Sequence, residues 1–84
     1  MAGSLHTPAY AGLLAALVAA RHAAGLSQAR LAARLGRPPS FVAKYEMGER
    51  RLDAVEVLVI ARCLGREPVR FLVEAVPEVP ERLR

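Results

Sequence analysis

Glycines at positions 25, 36, 48 and 65 each follow a run in which apolar residues recur at helical spacing, and they cut the chain into short segments. Glycine is the residue that best tolerates the left-handed conformation just past a helix end. A chain punctuated in this way builds several short helices and little else. The starts agree with the stops. Thr7-Pro8 offers an N-cap followed by proline at the first helical position, where its missing amide hydrogen costs nothing. Ser27 caps a second segment, Asp53 with Glu56 makes a capping-box-like start for a fourth, and Pro68 opens a fifth.

This punctuation predicts helices over Pro8 to Ala24, over Gln28 to Leu35, from the Arg37-Pro38-Pro39 turn to Met47, from Asp53 to Leu64 and from Pro68 to Val76. Leu13, Leu14, Leu17 and Val18 supply the apolar stripe of the first helix; Leu31, Ala32 and Leu35 that of the second; Phe41, Val42 and Tyr45 that of the third. Arg21 falls four residues beyond Leu17 on nearly the same side, so it needs a partner. Two short helices about Gly36 form a helix-turn-helix. The expected fold class is all-α, with five helices in one domain over 8–76, an N-terminal arm over 1–7 and a tail over 77–84. The tail, PEVPERLR, has two prolines and no apolar period, so it is expected to be extended or mobile.

Length and composition narrow the function. A chain of 84 residues buries only about 60% of its unfolded surface, which leaves little room for an enclosed catalytic pocket. No nucleophile–base pair, carboxylate pair or phosphate loop stands out, so no enzyme is expected. Cys63 is the single cysteine; an internal disulfide and paired-cysteine metal sites are excluded, a reducing cytoplasm fits, and the residue reads as a small buried hydrophobe. His6 and His22 stand far apart without a ligand-like cluster, so neither metal nor cofactor is expected. The apolar run over 11–20, AGLLAALVAA, has no basic residue before it and ends at Arg21, too short to cross a bilayer; it reads as a buried helix, and no membrane partner is expected.

The net charge of +4 averages unlike parts. Residues 1–20 carry no charged side chain, residues 21–51 carry seven basic against two acidic, and residues 52–84 carry five basic against six acidic. A basic middle third is what a phosphate-binding face requires, because neutralising phosphates releases condensed counterions. Charge alone fits a solvated, arginine-rich surface equally well.

The residues between 25 and 65 carry a more specific signal. GLSQARLAARLG (25–36), RPPSFVAKYEMGERRL (37–52) and IARCLG (60–65) together resemble the helix-turn-helix of the XRE family, the Cro/repressor-type, lambda-repressor-like transcription regulators. The resemblance covers about residues 10–76, with spacing, glycines, cap and core positions in agreement. It implies a five-helix lambda-repressor-like DNA-binding domain. It implies that Pro39, Ser40, Ala43 and Lys44 face base edges in the major groove, and that Ser27, through its backbone amide, Gln28, Arg37, Arg50 and Arg51 meet phosphates. Gln28 would also brace the third helix, and Arg21 with Glu46 would form a salt bridge between the first and third helices, leaving a guanidinium edge near a phosphate.

Departures from the family pattern thin the direct readout. Pro39 stands where a glutamine is common, Ala43 where serine is frequent and Met47 where a basic residue is usual. Lys44 can reach guanine acceptors and Ser40 can donate or accept, while Pro39 and Ala43 offer only apolar contact to a thymine methyl. Specificity would then lean on Arg37, on DNA shape or on two half-sites bound by a dimer. Val55 and Val59 on the fourth helix, and Val18, Ala19 and Ala23 on the first, place apolar residues where relatives carry polar ones. Surplus apolar surface on so small a domain marks an interface. A homodimer is therefore expected, burying Val55, Val59 and the C-terminal segment from about Phe71. The expected function is sequence-specific binding of double-stranded DNA as a regulator, a repressor on a palindromic operator, located in the cytoplasm at the nucleoid and without an effector-sensing domain. The competing reading is a protein-interaction module, an antitoxin-like partner or co-regulator that binds DNA weakly.

Overall fold

The computed structural model describes residues 7–83. Residues 1–6, which hold most of the expected arm and His6, lie outside the described residues, as does Arg84. Five helices follow in chain order: α1 Pro8–Ala23, α2 Gln28–Arg34, α3 Ser40–Glu46, α4 Ala54–Cys63 and α5 Pro68–Ala75. No strand occurs among the described residues, and no single helix among them is long and apolar enough to cross a membrane. The last residue expected of each helix, Ala24, Leu35, Met47, Leu64 and Val76, is in each case the half-in C-cap. Residues 76–83 are not helical.

Local chemistry accounts for the starts. The Thr7 hydroxyl accepts from the Tyr10 amide at 3.1 Å and the Ser27 hydroxyl from the Arg30 amide at 3.1 Å. At α4 the capping box closes both ways: Asp53 accepts from the Glu56 amide at 2.7 Å and Glu56 accepts from the Asp53 amide at 2.9 Å. At α5 the carboxylate of Glu67, next to the expected Pro68, accepts from the amides of Arg70 and Val69. Helix α3 has Pro39 at its N-cap and no side-chain cap, since proline brings no oxygen to the task.

The stops of α1 to α4 share one closure, seen at the turn within the helix-turn-helix. Gly36 adopts φ +71°, its amide donates to the Ala33 carbonyl, and the Arg37 amide reaches back to Ala32 at 2.9 Å. This pair of bonds satisfies carbonyls that the helix end would orphan. Gly48 ends α3 in the same way, at φ +80°, and so sends the basic loop Glu49-Arg50-Arg51 away from the helix axis.

Helices as short as α2 and α3 do not persist alone; packing stabilises them. α2 lies on α3, α4 on α5, and α1 packs against both α3 and α5. The core takes Leu13, Leu14, Leu17 and Ala20 from α1, Leu31 and Ala32 from α2, Phe41, Val42 and Tyr45 from α3, Val57, Ile60 and Ala61 from α4, and Phe71 from α5. Fully burying an aliphatic side chain of this size contributes roughly 1.5–3 kcal/mol. Cys63 is a free, half-buried thiol packed against this core.

Candidate nucleic-acid interface

Burial of one side of α3 decides what the other side presents. With Phe41, Val42 and Tyr45 turned into the core, Pro39, Ser40 and Lys44 are exposed and Ala43 is half-buried. Helical geometry puts these four on the side away from the core. The chemistry on offer is one hydroxyl, one ammonium and two apolar surfaces. Beside them, Ser27 and Arg37 are exposed and Gln28 is half-buried.

The anchor of α3 is a buried charge pair. Arg21, only 8% exposed, donates from Nε to Glu46 Oε2 at 2.7 Å and from Nη2 to Oε1 at 3.1 Å. Its Nη1 donates to the Leu26 carbonyl at 2.9 Å. Hydrogen bonding to Glu46 holds the Arg21 guanidinium above its ordinary pKa despite desolvation. Gln28 Nε2 donates to the same Glu46 Oε1 at 2.8 Å. The expected salt bridge and the expected brace are therefore one cluster, in which a single carboxylate ties α1 and the start of α2 to the end of α3. All three Arg21 nitrogens are engaged within the protein; the expectation that its edge lies open to a phosphate is corrected accordingly.

The loop after α3 is organised by a carboxylate that sequence reading treated only as a cap. Arg50 meets Glu56 as a fork, Nη1 to Oε1 at 3.0 Å and Nη2 to Oε2 at 2.8 Å, and Nη1 also donates to the Arg51 carbonyl at 2.9 Å. Glu56 is held down to about 2, chiefly by the Arg50 hydrogen bonds and then by the Asp53 amide. The Arg50 guanidinium lies 4.9 Å from the centre of the Phe41 ring, and that of Arg37 lies 5.3 Å from the same ring. Arg51 lies over Tyr10 at 4.2 Å, and the Tyr10 hydroxyl accepts from the Leu52 amide at 3.0 Å. Arg50 and Glu56 stand six positions apart across a loop, a spacing that belongs to no regular element, so no periodicity could have paired them.

The dimer residues separate into two groups. Val55 and Val59 are 68% and 53% exposed and flank a shallow groove floored by Leu35, Phe41 and Ile60. Phe71, by contrast, is only 2% exposed: it belongs to the protomer's own core beneath Arg66, whose guanidinium lies 5.2 Å from its ring. Its expected place in a dimer interface is corrected, because α5 uses this ring to seal itself to the domain. The apolar surface that α5 does present is Val69 and Val73.

A family model described as a helix-turn-helix domain matches residues 13–71. Among solved structures, an XRE-family like protein from Pseudomonas syringae pv. tomato str. DC3000 is similar at 45% identity and a TM-score of 0.82, with 93% of this chain and 95% of that one covered. The chain belongs to the XRE family of helix-turn-helix proteins. No curated protein matches it. Membership gives α2 and α3 their meaning as a pair: in helix-turn-helix proteins the first helix of the motif crosses the DNA backbone and the second lies in the major groove. The Arg21–Glu46–Gln28 cluster sits where those two helices meet α1, and so sets the angle at which an XRE-family α3 is presented.

Proposed function

We propose that this protein is a transcription regulator, a repressor, which binds a palindromic operator in double-stranded DNA as a homodimer and acts in the cytoplasm at the nucleoid. The observation that carries the reading is the outer side of α3: Ser40 and Lys44 stand exposed on a helix whose other side is locked into the core. In this mechanism α3 enters the major groove with Pro39, Ser40, Ala43 and Lys44 toward base edges. Lys44 reaches guanine acceptors and Ser40 donates or accepts. The Ser27 backbone amide, Gln28, Arg37 and Arg51 hold register on phosphates. Arg50, expected among these phosphate contacts, is held by Glu56 in the free protein.

A second copy supplies the second half-site. Val55 and Val59 on α4, with Val73 on α5, give each protomer exposed apolar area suited to a partner. Two recognition helices about 34 Å apart would then read successive turns of one DNA face. Occlusion of a promoter is the simplest output for a domain of this size.

Binding to duplexes from the region upstream of the protein's own gene, followed over a range of salt, tests the reading. Nanomolar, sequence-selective binding that Lys44→Ala weakens supports regulation; micromolar, sequence-indifferent binding supports the interaction-module reading, which the donor-poor pair Pro39 and Ala43 favours. Sedimentation of Val59→Glu tests the dimer. If the variant keeps the mass of a dimer, α4 is not the interface.

A further inference from the structure

Seven basic side chains lie between residues 21 and 51, and Arg21 and Arg50 are among those that the structure closes onto carboxylates. Arg21 is buried against Glu46. Arg50 is different, because its side chain is 39% exposed at the surface and Glu56 is 20% exposed. Arg50 lies in the loop that follows the recognition helix, on the Phe41 ring shared with Arg37. That is where a phosphate-binding arginine is expected. Yet three of its hydrogen bonds go to protein oxygens: two to Glu56 and one to the Arg51 carbonyl. A bidentate carboxylate offers a guanidinium the same planar geometry as a phosphate. Glu56 therefore occupies the end-on edge, Nη1 with Nη2, by which Arg50 would fork a DNA phosphate. Glu56 also accepts from the Asp53 amide and is fixed on the first turn of α4, so it is a placed competitor and not a mobile surface side chain.

We propose that Glu56 is a positioning residue that withholds Arg50 from DNA phosphate, so that the free protein presents one fewer phosphate ligand per protomer than it would with Arg50 released. This rests on the DNA-binding reading above and adds to it a residue that tunes affinity without touching DNA. The two ends of the clamp have distinct duties. Phe41 gives the guanidinium a flat seat, Glu56 sets its direction, and the loop between α3 and α4 is drawn against the domain. Affinity is thereby held down at this position while Ser40 and Lys44, on the reading side, are left untouched. Binding to every sequence is weakened by the same factor and the ratio of selective to unselective binding is unchanged, because the withheld contact is one that every sequence would have enjoyed equally.

The test is salt-dependent binding of the full chain to a duplex of unrelated sequence, about two helical turns long, for wild type, Glu56→Gln and the double variant Glu56→Gln/Arg50→Ala. Glutamine keeps the cap on α4 but has no charge to hold the fork; thermal melts of all three establish that each is folded. Each phosphate neutralised steepens the slope of log K against log salt by about 0.9. Glu56→Gln is expected to steepen it by that amount per protomer, so that its advantage over wild type is about eightfold larger at 0.1 M than at 1 M salt. In the double variant the steepening is expected to vanish. A slope unchanged in Glu56→Gln, or a gain that survives removal of Arg50, overturns the proposal alone. Wild-type protein that fails to bind the duplex even at about 50 mM salt overturns the DNA-binding reading together with it.

Discussion

Arg21 and Glu46, 25 residues apart in the chain, face each other through two hydrogen bonds of 2.7 and 3.1 Å, with their side chains 10% and 7% exposed. Each is the other's main compensation for leaving water, with the Leu26 carbonyl and the His22 ring nitrogen adding to it on one side and the Gln28 amide on the other. Breaking such a pair leaves a buried charge without its partner and costs about 3 kcal/mol or more. Arg21→Ala and Glu46→Ala are each expected to lower the urea midpoint accordingly. Arg21→Met with Glu46→Leu is expected to recover most of the loss, since matched apolar groups remove both charges at once. A single variant within about 0.5 kcal/mol of wild type would show that the pair does not anchor α3.

Gly36 turns the chain between α2 and α3 at φ +71°, with open space where a side chain would begin. Crowding is therefore absent and backbone strain remains. Gly36→Ala is expected to destabilise by about 1 kcal/mol, and Gly36→Asn by less, because asparagine adopts the left-handed region more readily. Equal midpoints for alanine and asparagine would contradict this account.

Acid exposes the Arg50–Glu56 clamp. The folded chain holds Glu56 at about 2, below the ordinary 4.5, so folding favours its ionised form. That contribution is complete above pH 4.5 and is lost progressively as the pH falls from there toward 2. Stability curves of wild type and Glu56→Gln are expected to approach one another across this window and to lie apart above it. The separation is small and shrinks in salt, because both groups sit at the surface. A difference that stays constant from pH 5 to about 2 would mean that the carboxylate charge contributes nothing.

Tyr45 is fully buried, and its hydroxyl has no hydrogen-bond partner among the described residues. Burial, the largest influence, pushes the hydroxyl above its ordinary pKa. Its ring meets Phe41 edge to face at a centroid distance of 5.5 Å, so the ring contributes packing while the hydroxyl contributes a desolvation cost. Tyr45→Phe is expected to be neutral or up to about 1 kcal/mol stabilising, whereas Tyr45→Leu leaves the edge-to-face contact unmade and is expected to destabilise. Calorimetric midpoints separate the two. A destabilised Tyr45→Phe would show that the hydroxyl has a partner in solution.

Much of this architecture was legible in the chain because its signals are local. Thr7, Ser27 and Asp53 cap their helices, and the glycines at 25, 36, 48 and 65 take positive φ after them, because cap and turn chemistry act within a few residues. The apolar positions of α3 were legible for the same reason: helical spacing sends Phe41, Val42 and Tyr45 one way and Ser40 and Lys44 the other. The need of Arg21 for a partner could be read from its place beside Leu17, and the family resemblance pointed to Glu46.

The sequence by itself thus determined where helices start and stop, which side of each is apolar, and that positive charge gathers over 21–51. Tertiary structure alone decided which of those charges remain available. Arg50 and Glu56 lie on either side of a loop whose path follows from how α3 and α4 pack, so their fork exists only once the core has formed. The same holds for Phe71, whose aromatic character fits a surface or a core equally well until α5 docks and encloses it. Helix boundaries are set by bonds between near neighbours in the chain; the charge a surface presents is set by side chains that packing brings together.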